Sequence, residues 1–524
     1  MEAHAHHDDD ETLLHKLGYA QVLYREMGGF SNFAISFTII SILAGCLTSY
    51  FIAFNSGGPV AVVWGWLLVG IMCTFVGLAM GEIASAMPTA GAIYYWASKL
   101  GRPVHGWFSG WFNLVGVIAV TAAIDYGAAT FWTALLNLWF DLSTSTTTIF
   151  IVFSVIVALH LLLNLFNVRL LALLNSVSAW WHMAGVAVIV VVLIFVPDHH
   201  QSVGFVFGET LNASGFGHVN DNFGQPVFWF VFALGLLMAQ YTITGFDASA
   251  HMSEETRLAS RSAALGIVMS IVVSVIFGFV LLIAITFAVP QDLAGVQASG
   301  AMMVPYIWQH SMSNSWAEFL LFIACVAQFF CGTASVTSAS RMMFAFSRDG
   351  AVPGRNIWRK VSGHRVPVNA VMAVCFFAWA LMIPTLANGA IGYLVGTSVA
   401  VIGLYMAFAI PIYLRWRAGD SFERGAWSLG NRYKWINPIA FLWIGFITIL
   451  FLLPTTPTAW WFASDFDWNV ANYAPLTVGG VLIVVWLWWR LSARKWFKGP
   501  VREGTDEELM RLEHGEEAVE ATPV

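Results

Sequence analysis

Two stretches decide the fold of this chain: Ser41-Ile-Leu-Ala-Gly45-Cys-Leu-Thr48-Ser49 and Tyr241-Thr-Ile-Thr-Gly245-Phe-Asp247-Ala-Ser249. Each interrupts an apolar run long enough to cross roughly 30 Å of hydrocarbon with a glycine and small polar residues. Unwound backbone at bilayer depth is tolerated only where it lines a cavity or is buried in protein. The freed N–H groups at a half-helix N-terminus suit a carboxylate, and freed carbonyls suit an ammonium. A single glycine would be explained by close helix packing. The matched pair, with Asp247 beside one member, points to a binding site.

The rest of the chain fits that reading. Of its 524 residues, 58% are hydrophobic and 10% charged, against about 25% charged in a soluble domain. Mean hydropathy is +0.72. The class is an all-α polytopic membrane protein, which excludes a nucleic-acid binder because no basic face exists. The five cysteines fall inside apolar runs and read as reduced packing residues rather than a disulfide framework. Spanning runs lie near 31–54, 60–86, 106–137, 148–166, 172–196, 226–248, 262–289, 316–345, 368–386, 390–414, 436–454 and 474–490. That makes about twelve transmembrane helices. The interrupted ones are the first and the sixth, as in two inverted five-helix repeats. The expected segments are an N-terminal tail (1–29), a first repeat (30–196), an outer loop (197–225), a second repeat (226–416), two further helices (417–490) and a C-terminal tail (491–524).

Orientation follows from Lys and Arg. With the N-terminus inside, all 24 fall in inward segments, while the outward loops carry Asp141, Asp198, Asp292, Asp465 and Asp467. Both termini are expected in the cytoplasm of a cell whose plasma membrane the chain crosses. The N-terminus lacks the basic and short apolar regions of a signal peptide. Its His4, His6 and His7 read as part of a disordered polar tail, and residues 498–524 as a solvated end. Asn212-Ala-Ser214 matches a glycosylation acceptor. No ATP-binding loop of the G-x-x-x-x-G-K-[ST] kind is present, so a pump, an enzyme, a cofactor or a metal site is not expected.

Four stretches carry a family likeness: Phe30-Ser-Asn-Phe-Ala-Ile-Ser-Phe, Gly81-Glu-Ile-Ala-Ser-Ala-Met-Pro88-Thr-Ala-Gly91, Thr244-Gly-Phe-Asp-Ala-Ser-Ala-His-Met-Ser-Glu254-Glu255-Thr and Ser340-Arg341-Met-Met-Phe-Ala-Phe-Ser-Arg348-Asp349-Gly350-Ala-Val-Pro353. The chain resembles the amino acid–polyamine–organocation permeases over roughly residues 18–495, and most closely their amino acid/choline branch. The resemblance implies the leucine-transporter fold, with helices 1 and 6 broken, alternating access and small amine-bearing substrates. It makes Tyr241, with Phe246, the gating aromatics, and places Asp247 facing substrate. It also aligns His182 of helix 5 with a lysine that reaches helices 1 and 8 in several proton-coupled relatives. The absence of that lysine here leaves proton and sodium open as the coupling ion.

The candidate substrate contacts are Ser41, Ala44, Gly45, Cys46 and Thr48 of helix 1, Asp125 of helix 3, and Tyr241, Thr242, Thr244, Gly245 and Asp247 of helix 6. A mid-bilayer carboxylate costs roughly 3 kcal/mol on insertion scales. Asp125 and Asp247 are therefore candidates for holding an ammonium or a proton, with a structural hydrogen bond the alternative for Asp125. Glu82 reads as a salt bridge to a loop arginine, and His160 as structural. An imidazole changes charge between pH 5 and 8, so His182 would couple helix 1 to helix 8 through Ala44, Thr333 and Ser335. The expectation is a proton-driven permease for small amino acids of the γ-aminobutyrate kind, with no heavy-chain partner. The alternatives are a choline or polyamine permease, an amino acid/amine exchanger and, in another class, a non-transporting sensor.

Overall fold

A computed structural model describes residues 2–166, 168–363, 365–501, 504–505 and 507–509, without the side chains of residues 2–9, 168, 390 and 391. Among the described residues there is no strand, only an isolated parallel bridge between Met27 and Thr256. Helix 1 comprises Gly29–Ile40 and Gly45–Gly57, helix 2 Pro59–Ala86, helix 3 Pro103–Phe140, helix 4 Thr146–Asn164 and helix 5 Val168–Phe195. Helix 6 comprises Pro226–Thr242 and Ala248–His251, followed by helix 7 (Ala259–Phe287), helix 8 (Asn314–Arg348) and helix 9 (Val368–Leu381). Helices 10 (Gly389–Ala418), 11 (Tyr433–Leu452) and 12 (Ala474–Leu491) complete the bundle. Each overlaps one apolar run of the sequence. The two halves of helix 1 together span a membrane, whereas the apolar first half of helix 6, Pro226–Thr242, is a shorter apolar helix.

Helix 1 packs on helix 6, 2 on 7, 3 on 8 and 4 on 9, the pairing that two intertwined five-helix repeats produce. Burial grades from centre to rim: 94% of the most apolar stretch of helix 1 is covered, against 11% in helix 12. The rim exposes apolar stripes at helical spacing, such as Ile151, Val155, Leu159 and Leu162 on helix 4. Such stripes suit lipid and would be untenable in water.

The chain ends depart from expectation. Residues Glu2–Leu17 form a helix rather than a disordered tail. It docks because Asp10 accepts hydrogen bonds from the amides of Leu258 (2.6 Å) and Ala259 (3.0 Å), at the start of helix 7. The side chains of His4, His6 and His7 lie outside the described residues. Past helix 12 the chain folds back, packing Trp496 and Phe497 edge to face on Trp107 of helix 3. Residues 510–524 lie outside the described residues. The glycosylation match is also overturned as an acceptor: Asn212 is buried, and its amide donates to the Phe216 carbonyl at 2.5 Å. That side chain is spent shaping its own loop.

Asp10→Ala is expected to lower the thermal unfolding midpoint by removing a cap worth about 1 kcal/mol, with Asp10→Asn retaining most of it. Unfolding curves in detergent measure both.

Candidate functional site

The two breaks touch. Helix 1 unwinds over residues 41–44, where Ser41 adopts φ +31°, and helix 6 over residues 243–247, where Gly245 adopts φ +91°. A Cβ on Gly45 would lie 2.6 Å from Thr242 Oγ1 and 2.8 Å from its Cα. A Cβ on Gly245 would lie 2.2 Å from Ile39 Cγ2. Each glycine thus admits the backbone or side chain of the other break. The amide-bearing start of Gly45–Gly57 thereby meets the carbonyl-bearing end of Pro226–Thr242. These are helix ends of opposite partial charge.

Between them lies a space of about 10 Å³ lined by Ile39, Ile40, Ala44 and Gly45 of helix 1, Val120 and Ile124 of helix 3, and Tyr241, Thr242 and Thr244 of helix 6. That is room for about one water, so an amino acid enters only if the helices part. A larger cavity of about 190 Å³ opens towards the end opposite the termini, lined among others by Phe51, Asn55, Leu237 and Ser398. Three aromatic rings form a layer at this level. Tyr241 meets Tyr393 edge to face at 6.3 Å, and Phe51 lies 6.4 Å from Tyr393. The Tyr393 hydroxyl donates to Thr48 Oγ1 at 2.7 Å. Phe246 does not join this layer. It packs on Tyr405 and Phe408, on the other side of the break.

Several carbonyls at and beside the breaks are held by side chains the sequence did not single out. Gln328 donates to Leu43 O (3.0 Å), Cys331 to Ile39 O (3.3 Å), Tyr405 to Ile243 O (2.7 Å) and Ser36 to Phe246 O (2.8 Å). The candidate hydroxyls turn back on their own helices: Thr48 to Ala44 O, Thr242 to Met238 O and Thr244 to Gln240 O. Cys46 is fully buried beside Gly45.

Neither acid lines the small space. Asp125 faces His160 Nδ1 at 3.1 Å, one layer behind Ile124. Asp247 receives the Asn113 amide at 3.3 Å and turns towards the termini-bearing end. His182 reaches the break in helix 1, but through Ser41: Nε2 lies 2.7 Å from Ser41 Oγ. Its Nδ1 lies 2.8 Å from the Ser178 carbonyl, an acceptor only, so Nδ1 carries the hydrogen and Nε2 accepts. Ser41 Oγ in turn accepts from the Ala44 amide at 3.1 Å. Thr333 and Ser335 make no hydrogen bond to His182 among the described residues; their hydroxyls donate to Phe329 O and Cys331 O of their own helix.

The termini-bearing end is sealed by ion pairs of the family signatures. Glu82 meets Arg415 at 2.9 Å, an arginine of helix 10 rather than of a loop. Arg348 grips both oxygens of Glu254, and Arg341 meets Glu255 at 2.7 Å. Asp349 accepts from Tyr19 (2.7 Å), Tyr94 (3.0 Å) and the Val501 amide (3.2 Å). Burial pushes its carboxyl up to about 6, against the opposing pull of Arg348 and of those donors.

Gly45→Ala and Gly245→Ala are expected to abolish transport in folded protein. At Gly245 a left-handed backbone alone costs about 1–2 kcal/mol, before the clash. Uptake normalised to folded protein measures this. For Asp349 the sealed state binds a proton more readily than an open state with an ordinary carboxyl. Sealing is therefore favoured as pH falls through about 6 and burdened above it. Protection of residues 18–26 from protease should rise as pH falls from roughly 6.5 towards 4, and Asp349→Asn should remove that dependence.

Residues 27–485 match the family model described as amino acid permease. The chain is 37% identical to the amino-acid permease BAT1 of Arabidopsis thaliana over 94% of this chain and 96% of that protein. It is 36% identical to a BAT1 homolog of Oryza sativa, with the same coverage. It is 28% identical to a GABA-specific permease of Saccharomyces cerevisiae, covering 95% of this chain and 87% of that one. The chain belongs to the amino acid permease family, within the amino acid–polyamine–organocation superfamily.

Proposed function

We propose that this transporter takes up small zwitterionic amino acids, γ-aminobutyrate among them, across the plasma membrane by alternating access driven by protons. The observation that carries the substrate reading is the meeting of opposite helix ends at Gly45 and Thr242. The first-turn amides of Cys46 and Leu47 are groups a helix cannot satisfy itself, and they suit the substrate carboxylate. The carbonyl end at Tyr241 and Thr242 suits its ammonium. One relative carries GABA in its name, which makes that compound the first to assay. Both termini lie in the cytoplasm on this reading. The sealed basic end is then the inner gate, and the larger cavity an outer vestibule above Tyr241 and Tyr393.

His182 is the group through which protonation reaches helix 1. A second hydrogen on Nε2 would reverse the Ser41 hydrogen bond and disturb the Ser41 to Ala44 link that shapes the break. An imidazole beside the break supports a proton over sodium.

Uptake of radiolabelled γ-aminobutyrate into proteoliposomes with an alkaline interior tests the reading. Accumulation above equilibrium, competed by amino acids and not by choline, is expected. Accumulation of choline or a polyamine without amino acids overturns it. His182→Ala is expected to flatten the pH profile of the uptake rate, and an unchanged profile removes His182 from coupling.

A further inference from the structure

Three buried histidines neighbour an acid or a break, and their hydrogens can be counted from their partners. His182 is satisfied as a neutral ring, as described. His160 meets its acid with a donor: the hydrogen on Nδ1 goes to Asp125 Oδ2 at 3.2 Å, while Nε2 has no hydrogen-bond partner among the described residues.

His251 is different. Its Nδ1 lies 2.9 Å from the Ala90 carbonyl, which only accepts, so Nδ1 carries a hydrogen. Its Nε2 lies 3.3 Å from Asp247 Oδ2 and has no hydrogen-bond partner among the described residues. A neutral ring would hold a bare nitrogen 3.3 Å from an ionised carboxylate, with both groups buried. Such an arrangement is strongly unfavourable in low dielectric. One further hydrogen removes the conflict, on Nε2 or on the carboxyl, and leaves the pair without net charge.

The surroundings offer no other neutralisation. Helix 3 presents uncharged Asn113, and helix 1 presents Asn32 and Ser36. Helix 10 presents Tyr405, whose hydroxyl donates to Ile243 O, and helix 2 presents Cys73, paired with Tyr405. The turn after His251 carries Glu254 and Glu255, engaged by Arg348 and Arg341 of helix 8. Arg257 and Arg261, by helix 7, are exposed.

We propose that Asp247 and His251 together hold the transported proton. This rests on the reading of the chain as a proton-coupled permease, in which His182 relays pH to helix 1 and the Asp247–His251 pair carries the proton. The pair spans the distance between the two working parts of the molecule. Asp247 sits in the helix 6 break three residues from Thr244, which lines the central space. His251 touches Ala90, whose amide donates to Glu254 at 2.9 Å within the inner gate. A zwitterionic substrate brings no net charge, so the buried acid is neutralised by the proton alone. When the gate opens, the contact of His251 with Ala90 breaks and water reaches the pair. The N–H or O–H bond holding the extra proton then breaks, and the proton passes to water as hydronium, leaving a hydrated carboxylate and a neutral ring.

The test uses purified protein in proteoliposomes with an internal pH dye and radiolabelled γ-aminobutyrate, or whichever amino acid gives the largest wild-type signal. Asp247→Asn mimics the loaded pair, since its amide can donate to Nε2. His251→Gln removes the titrating ring. Both are expected to lose substrate-driven proton entry and accumulation above equilibrium, while still exchanging internal for external substrate. Should His251→Gln fail to fold, Asp247→Asn decides alone. Wild-type accumulation and proton entry in either folded variant overturns the assignment, as does loss of exchange along with accumulation in folded protein. If the wild-type protein itself accumulates amino acid with no proton entry, proton coupling fails as well, which separates the two failures.

Discussion

The contact between two unwound backbones is the constraint on which this molecule depends. Gly45 lies against Thr242, and Gly245 lies against Ile39. The reciprocity fixes both the position of the central space and its chemistry, since it brings a helix start and a helix end to one point. A pocket made only of side chains could shift its polarity by a single substitution. A pocket made of main-chain dipoles keeps it as long as the backbone stays unwound.

Unwinding leaves carbonyls without helical partners inside a membrane, where each orphan costs several kcal/mol. The neighbouring helices answer with three donors: Gln328 and Cys331 from helix 8 and Tyr405 from helix 10. Each is a polar group in an otherwise apolar stretch. Their presence explains why helices 8 and 10 are largely buried while helix 12, which serves no break, faces outwards.

Much of the fold was legible because its signals are local. Apolar run length located the spans, and the glycine clusters located both breaks. The site was less legible. Asp125 and Asp247 were identified as costly acids, but periodicity carries no information on which neighbour each would face, and both turn to histidines rather than into the central space. His251 was passed over inside a signature stretch although it stands four residues from Asp247, the spacing that places two side chains on one helical face. Tyr393 and Gln328 lie far away in sequence from the breaks they serve. The helical N-terminus is not legible in the sequence because its docking rests on one carboxylate, Asp10, meeting the amide of Leu258, 248 positions further along the chain.

The carboxylate of Asp349 binds Tyr19, which precedes the first span, and the amide of Val501, which follows the last. One carboxylate thus ties the segment ahead of the first span to the segment behind the last, so that displacing either of them at the inner face is felt by the other.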